Sequence, residues 1–581
     1  MKQNAVWPNR LGEGGLFAFS GMDGETNTLP GFTSTWGADP YSLLFHTKKR
    51  RVLHLNLPPV TETVVVTGDV CKLVTASGEC DLVYASWHTL TGSVPVGTEP
   101  TLVWEDGVAA EPQSDGVSTT LDEDNGDYIA LAVSGSRFGL SYGKTAEEAA
   151  DRATAGAKAD AGREIERRLL LYGELAQLPD DGHSRLLNKC VSVMKVNTLS
   201  PEGAFRYMWS TPDRVPHKDM WLWDTVFHSL AMNEVNADIS WQCLRTMLET
   251  ARPDGMIVHQ ISVSGKLSVI TQPPILAWGV WENYVAEPDL AKLSFALPIL
   301  ERYLEWDLAN RDANGNGLPE WAIEGNVNCR SGESGMDNSP RFDEAIELDA
   351  VDFSVFVAQD MKYVARIAAE LGKRDKAAEW NARASGMAGK LIAELWDEED
   401  GFFYDKRMDG RLTKVKAVSG FLPLLLEELP TGYADRLLAL LRDPAHFGTA
   451  CPVPSLAVSE PTWGTDMWRG PTWINLNYMI VQGLKRHGRT DEAAKLADAT
   501  IAMVNRYYER YGVIFEYYDA KDELPPTECD RKGPPRKPYN IRNKVDAIRD
   551  YHWSAALTAC LLLDKYGLRK SQRSACGTPT A

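Results

Sequence analysis

Near Thr145 the sequence changes character, and that change limits the fold more than any other feature. Before it, short apolar runs are separated by Gly, Pro, Asp and Ser: residues 51–57 (RVLHLNL), 63–66, 82–87, 101–104 and 128–133 (YIALAV). Runs of that length with turn residues between them read as strands of an antiparallel β-sandwich. After it, AEEAADRATAGAKADAGREIERRLLLYGEL is rich in Ala, Glu and Arg and reads as helix. Helical periodicity then recurs over 183–197, 221–232, 239–250, 274–284, 291–310, 348–371, 375–395, 432–442, 473–487, 490–511 and 552–566. Helix pairs joined by variable loops suggest a helical toroid with a pocket formed by loops at one end. The expected organisation is a β-sandwich over 1–150, a linker helix region over 151–180, a helical domain over 181–570 and a small, polar, disordered tail over 571–581.

With 581 residues, two domains are the natural expectation. A net charge of −19 argues against a nucleic-acid partner, because phosphate binding needs a basic patch. No apolar run approaches the ~20 residues that span a bilayer, and residues 1–15 contain no apolar secretory core. The nine cysteines are scattered without a CxxC pair, which fits thiols in a reducing cytoplasm and gives no zinc site. Many of the 18 Trp stand beside Asp, Glu, Gln or Arg, a pairing that suits sugar rings with apolar faces and hydroxyl edges; burial in a large helical enzyme would explain them equally.

Six stretches carry candidate chemistry. Residues 333–343, ESGMDNSPRFD, set Glu333, Asp337 and Asp343 around a Gly and an Asn-Ser-Pro break that disfavours helix, so the loop either presents an acid or is an acidic surface turn. In VPHKDMWLWDTVFH (215–228), Trp221, Asp224 and His228 share one helical face, and an acid in the first turn also suits the helix dipole. VITQPPILAW (269–278) leaves Gln272 at a helix mouth, able to donate and accept to paired hydroxyls or simply to cap the helix. DANGNGLPE (312–320) places Asp312, Asn314 and Asn316 at the odd positions of a calcium loop, with the Leu318 carbonyl next; Ile323 stands where an EF-hand needs its Glu, so Glu320 would complete the shell. DMWRGPTWINLNY (466–478) gathers Trp468, Arg469 and Trp473 at a Gly-Pro turn; Arg469 could bind substrate or hold a neighbouring acid. YGVIFEYYD (511–519) sets Glu516 among aromatics, a setting for a tuned acid or base or for a structural salt bridge.

In order along the chain, WLWDTVFH, TQPP, NGNGLPEW, GMDNSPRFD, WRGPTWIN and FEYY resemble glycoside hydrolase family 63 with its mannosylglycerate hydrolase-like relatives and the trehalases. The motifs cover about residues 200–557. The resemblance implies an all-α (α/α)6 barrel behind the β-sandwich and an inverting glycosidase. It places the general acid on Asp337 and the general base on Glu516, with Trp223, Asp224, Gln272, Trp468, Arg469 and Trp473 around the glycone. Carboxyl groups about 6.5–9.5 Å apart admit the attacking water in such enzymes. Some relatives carry calcium in the loop matching 312–320, so one structural calcium ion and no organic cofactor are expected. After Glu516 this chain departs from the family's Asn-Pro-x-Thr-Gly run with DAKDELPPTECDRKGPPRKPYN, within an insertion over 519–548 expected at the pocket rim.

The reading at this point is a cytoplasmic, exo-acting α-glycosidase, an α-glucosidase on short oligosaccharides or glucosides. Its partners are small carbohydrates, with neither nucleic acid nor membrane. A mannosylglycerate or glucosylglycerate hydrolase is the alternative, needing a cation such as Arg330 or those within 531–537 for the substrate carboxylate. A sugar epimerase or isomerase would use clustered His, of which His217, His228 and His259 alone stand near motifs, and a non-catalytic sugar-binding protein would have no use for two acids.

Overall fold

The structure is a computed structural model; it describes residues 6–28, 31–45, 50–113, 115–175, 177–533 and 546–570. The tail 571–581, expected to be disordered, lies outside the described residues, as does part of the 519–548 insertion. By internal contacts the chain forms two compact units. One holds Met1–Lys218 with Val504–Ile514 and Arg549–Ala555, and the other holds Asp219–Met503, Phe515–Ile548 and Ala556–Ala581.

The first unit carries the antiparallel β-structure. Strands Phe32–Trp36, Asp39–Phe45, Val52–Asn56 and Thr101–Trp104 form a four-stranded sheet in that order. An eight-stranded sheet runs Val60–Val66, Val70–Thr75, Gly78–Ser86, Thr89–Ser93, Arg137–Gly143, Asp127–Ser134, Val117–Asp122 and Glu111–Pro112. Alternating residues of both sheets, among them Leu43, Leu53, Leu82, Tyr84, Leu131 and Phe138, bury one shared core. The Ala-rich stretch after Thr145 becomes two helices, Ala146–Lys158 and Ala161–Glu174, capped by the Thr145 and Asp160 side chains. Ala149, Ala153 and Ala157 lie on Ala130 and Ala132 of the sheet, where the absence of longer side chains permits close approach. From the second helix Arg168 donates to the Tyr84 carbonyl at 2.6 Å.

The second unit is helical, and its helices are of two kinds. Leu222–Val235, Leu276–Ala286, Val351–Glu370 and Ile474–Arg486 are buried or half-buried along almost their whole length. They pack in succession: the first on the second, the second on the third, and the third and fourth on the 3₁₀ segment Val418–Leu425. Ala237–Leu248, Leu290–Asn310 and Arg374–Leu395 carry a polar face and pack against that first set. Each of these seven helices falls within three residues of its expected span. The 3₁₀ segment, VSGFLPLL, has no helical periodicity and contains Pro423, so nothing in the sequence marked it. Among the described residues no helix is long and apolar enough to cross a membrane, and no disulfide joins the eight described cysteines.

Some helix mouths in this unit are closed from elsewhere in the chain, whereas Ala237–Leu248 and Leu290–Asn310 are capped by the Asn236 and Asp289 side chains directly before them. Asp360 accepts from the Ala277 and Trp278 N–H groups at 2.9 and 3.0 Å, satisfying two donors at the mouth of Leu276–Ala286. Burial still pushes the Asp360 carboxyl up to about 8. A carboxyl raised above its unfolded value binds its proton more tightly when folded, so the stability it contributes is fullest at acid pH and declines as pH rises towards 8. Asp360→Asn is therefore expected to flatten the fall in unfolding free energy between pH 5 and 8, a slope of up to about 1.4 kcal/mol per pH unit for one proton. Urea denaturation of both proteins across that range measures it.

Candidate active site

The loop 333–343 is buried along most of its length and anchored on both sides of Asp337 by charge. On one side Glu333 is wholly buried. Its Oε1 accepts from the Thr271 N–H at 3.0 Å and from Arg311 Nη2 at 2.7 Å, and its Oε2 from Arg311 Nε at 2.9 Å and the Ala322 N–H at 2.8 Å. Four donors replace the water that burial removes. Asp307 lies in the same cluster, and burial followed by the Glu333 charge pushes its carboxyl well above the usual range, so Arg311 serves Glu333. On the other side Arg341 pairs with Asp352, and its Nη1 also reaches Asp405 at 3.2 Å. Asp405 accepts from the Val351 N–H at 2.9 Å, and Trp321 donates to Asp352 at 2.9 Å, so this anchor closes onto the start of helix Val351–Glu370.

Between the anchors, Gly335 has φ +72°, and a Cβ there would stand 2.4 Å from the Trp223 ring. Glycine alone fits both the backbone and the ring. Trp223 is set in turn by Gln272, whose Oε1 accepts from the Trp223 N–H at 3.1 Å in the first turn of helix Leu222–Val235. The Tyr303 hydroxyl donates to the Gln272 carbonyl at 2.9 Å. Gln272 thus acts as a cap, supplied from a different stretch than the helix it closes. Asp224 is buried one residue further along the same turn.

The aromatic wall continues from Trp223 to Trp468, with centroids 6.4 Å apart. Trp468 stacks on Trp473 at 3.8 Å, and Trp473 meets Tyr517 at 4.8 Å, next to Glu516. Trp468 and Trp473 turn one face onto each other, so only the remaining faces and edges can meet a ligand. The Trp468 N–H donates to Asn338 Oδ1 at 3.1 Å, and Trp473 Nε1 donates to the Met467 carbonyl at 2.9 Å. At Gly470 a Cβ would lie 2.0 Å from the Gly464 carbonyl, which requires glycine at that turn. Arg469, read from the sequence as a glycone contact or as the holder of a neighbouring acid, pairs with Asp343.

Asp337 and Glu516 are brought to this wall and have different surroundings. The Glu516 side chain is 3% exposed and paired with Arg531 Nη1, and its backbone N–H donates to the Ile548 carbonyl at 2.9 Å. The Asp337 side chain is 20% exposed and paired with Lys532 Nζ. Arg531 and Lys532 are neighbours in the chain, so one dipeptide grips both acids. Asp466 fixes that dipeptide, accepting from the Lys532 and Gly533 N–H groups at 2.7 and 2.8 Å. The Tyr517 hydroxyl donates to the Asp530 carbonyl at 2.7 Å. Near Asp337, burial pushes the His259 imidazole down to about 4 and the Cys329 thiol up to about 12, leaving both neutral near pH 7.

The expected calcium loop folds as a run of side chain-to-backbone turns. Asp312 accepts from the Asn316 and Gly317 N–H groups at 2.9 and 2.8 Å, and Asn316 Oδ1 accepts from the Leu318 N–H at 2.8 Å. Asn314 and Asn316 donate to Asp349 at 2.9 and 2.7 Å. Glu320 Oε2 accepts from the Ala313 N–H at 2.8 Å, while its Oε1 is buried with no hydrogen-bond partner. Among the described residues no three His, Cys, Asp or Glu side chains stand close enough to hold a metal ion by themselves.

A model of the mannosylglycerate hydrolase MGH1-like glycoside hydrolase domain matches residues 216–554, more than half of the chain. The chain belongs to this glycoside hydrolase family. Mannosylglycerate hydrolase of Thermus thermophilus is 26% identical over 416 residues, 57% of this chain and 94% of that one. A probable mannosyl-oligosaccharide glucosidase of Schizosaccharomyces pombe is 25% identical over 255 residues, 38% of this chain and 31% of that one. The chain thus spans less than half the length of some curated relatives and nearly all of others. The crystal structure of a family 63 mannosylglycerate hydrolase from Thermus thermophilus in complex with glucose shares the fold, with TM-score 0.53 and 24% identity over 65% of this chain and all of that one.

In this MGH1-like glycoside hydrolase, sequence reasoning had Glu333 only as one acid among three and assigned no role to Asn338, Arg341 or Asp466. The spacing of Glu333 four residues before Asp337, inside the same glycine-containing loop, was the one available signal. Removing one partner of a buried, hydrogen-bonded charge pair costs about 3–5 kcal/mol. Glu333→Ala is expected to lower the unfolding free energy by that amount and Glu333→Gln by less, measured by chemical denaturation.

Proposed function

We propose that this protein is an inverting, exo-acting α-glycosidase, an α-glucosidase acting on short oligosaccharides or glucosides, with Asp337 as general acid and Glu516 as general base. One observation carries this reading: two carboxylates 179 positions apart share one aromatic-walled cluster and are gripped by consecutive residues, Arg531 and Lys532. In such a reaction Glu516 takes a proton from a water that attacks the anomeric carbon. Asp337 gives its proton to the departing glycosidic oxygen on the opposite face. Trp223, Asp224, Gln272, Trp468 and Trp473 surround the glycone, and Arg469 acts through Asp343 by holding the 333–343 loop. The succession of buried helices, flanked by half-polar ones, supports an (α/α)6 barrel as the scaffold. The eight described cysteines, all of them thiols, support a cytoplasmic setting.

Asp337→Asn and Glu516→Gln are each expected to lower kcat by about 10²–10⁴-fold with the melting temperature retained, and activity surviving in either removes the assignment. NMR of the first sugar released from an α-linked substrate is expected to show the β-anomer.

A second reading, hydrolysis of a glycoside of glycerate, is favoured by the two cations at the acids and by the name of the Thermus thermophilus relative. Parallel assays of α-linked disaccharides and glycosyl-glycerates separate the two.

The 312–320 loop fits a structural calcium ion, because the Glu320 Oε1 is buried without a hydrogen bond beside a set of oxygen donors. Asp312, Asn314, Asn316, the Leu318 carbonyl and Glu320 would hold it, and its charge would neutralise their carboxylates with no part in the reaction. Chelation is expected to lower the melting temperature and leave the chemistry of Asp337 and Glu516 intact; an unchanged melting curve favours a plain turn.

A further inference from the structure

The two cations on the candidate acids differ in a way that the proposed reaction does not by itself explain. Arg531 is 7% exposed and paired with a Glu516 that is 3% exposed, so this pair sits in the interior. Lys532 is 37% exposed and paired with an Asp337 that is 20% exposed, so this pair stands at the edge of solvent. Their backbone does not distinguish them, because Asp466 holds the Lys532 and Gly533 N–H groups and Asp530 donates from its N–H to the Thr465 carbonyl at 3.1 Å. What can move is the four-carbon Lys532 arm, which carries its charge on rotatable bonds, whereas the guanidinium of Arg531 is enclosed.

The chemistry asks opposite things of the two acids. A general base works as a carboxylate, and a fixed counter-ion suits it. A general acid works only while it carries a proton, and an ammonium group seated on it opposes that state. The charge of Asp337 holds Lys532 above the ordinary lysine value, so the contact is released by movement of the arm and not by loss of its proton. Cys329, whose Sγ is 3.9 Å from Lys532 Nζ, and His259 are neutral near pH 7 and give the displaced ammonium no new counter-charge.

We propose that Lys532 is a specificity-determining residue, a releasable lock on Asp337 that a substrate with an anionic aglycone opens by taking over the ammonium group, and that Arg531 is a positioning residue for Glu516. A neutral aglycone must displace Lys532 into water without replacing its partner. An aglycone carboxylate supplies that partner, and the exchange leaves the partly exposed Asp337 carboxylate free to take from water the proton that it then gives to the departing glycosidic oxygen. This inference rests on the assignment of Asp337 and Glu516 as acid and base.

The test compares 4-nitrophenyl α-glucoside with α-glucosyl-D-glycerate in the full-length wild type, Lys532→Met and Arg531→Met. Lys532→Met is expected to raise kcat/KM for the nitrophenyl glucoside several-fold, mainly through KM, and to lower it for the glycerate glycoside about tenfold, the scale of one charge-assisted hydrogen bond. Arg531→Met is expected to lower kcat on both substrates alike, with Arg531→Lys restoring part of it. Titration with D-glycerate is expected to show Kd weakened about tenfold by Lys532→Met. Equal changes on both substrates in Lys532→Met, or an unchanged glycerate Kd, overturns the inference, with thermal melting confirming that each variant is folded. Asp337→Asn and Glu516→Gln assayed alongside keep the two claims apart. If either stays active, or the wild type is inert on both substrates, the acid–base reading falls and the lock with it. If both are inactive and Lys532→Met leaves the substrate ratio unchanged, the lock alone falls.

Discussion

The geometry around Asp337 depends on one physical constraint, the burial of charge on both sides of a loop whose one regular element is the short 3₁₀ turn Pro340–Phe342. Residues 333–339 lack the ladder of backbone hydrogen bonds that a helix or strand would provide. Their position is held instead by Glu333 on Arg311 and by Arg341 on Asp352 and Asp405, all inside the unit. A buried carboxylate is tolerated only where donors replace its water, so Glu333 cannot shift without losing Thr271, Arg311 and Ala322 together. The same logic holds at Arg341. A loop pinned this way can present a partly exposed acid with a rigidity that flexible connections lack.

The pinning carries outward into the helices. Thr271, held by Glu333, leads into Gln272, and Gln272 closes the mouth of helix Leu222–Val235. Asp405, held by Arg341, closes the mouth of helix Val351–Glu370. Two buried helices therefore begin where they do because of residues that also fix the acid loop. Polar satisfaction of helix ends and placement of the candidate acid are one arrangement, and a change to either disturbs the other.

Much of the fold was legible in the sequence because its signal is local. Strand runs such as 128–133 announce themselves as short apolar stretches between turn residues, and helix Thr490–Tyr511 through its side-chain period, and the observed elements follow them closely. The Asp337 loop was legible as a helix-breaking acidic stretch, and Glu516 as an acid among aromatics. The partners of these residues were not. Arg311 lies 22 residues from Glu333, Asp405 lies 64 from Arg341, and Lys532 meets Asp337 across almost 200 positions. Charge pairing at such separations has no period and no preferred spacing. The cations of 531–537 were noted only as contacts for a substrate anion; their grip on the two acids is a tertiary fact. Arg469 shows the same limit, since its neighbours in sequence suggested a sugar contact or a neighbouring acid without marking that acid as Asp343.

The motifs that made the family recognisable gain a physical meaning from these contacts, because several are two halves of one interaction. WLWD and TQPP meet where Gln272 caps Trp223. GMDNSPRFD and WRGPTW meet where Asn338 accepts from the Trp468 N–H, and again where Asp343 pairs with Arg469. WRGPTW and FEYY meet where Trp473 packs on Tyr517. GMDNSP and WLWD meet where the Gly335 backbone lies against the Trp223 ring. Each motif is polar or aromatic in a pattern that its own segment does not need, since helix and turn formation would accept other residues at Gln272, Asn338 or Trp473. The excess becomes intelligible once each group is seen as the partner of a group far away in sequence. A closed set of such partners carries position from Gly335 through Trp223, Trp468 and Trp473 to Tyr517, and so links the segment bearing Asp337 to the segment bearing Glu516. Two acids on opposite ends of that linkage can hold a fixed separation although no bond joins them directly, which is the property that acid–base work on a single glycosidic bond requires.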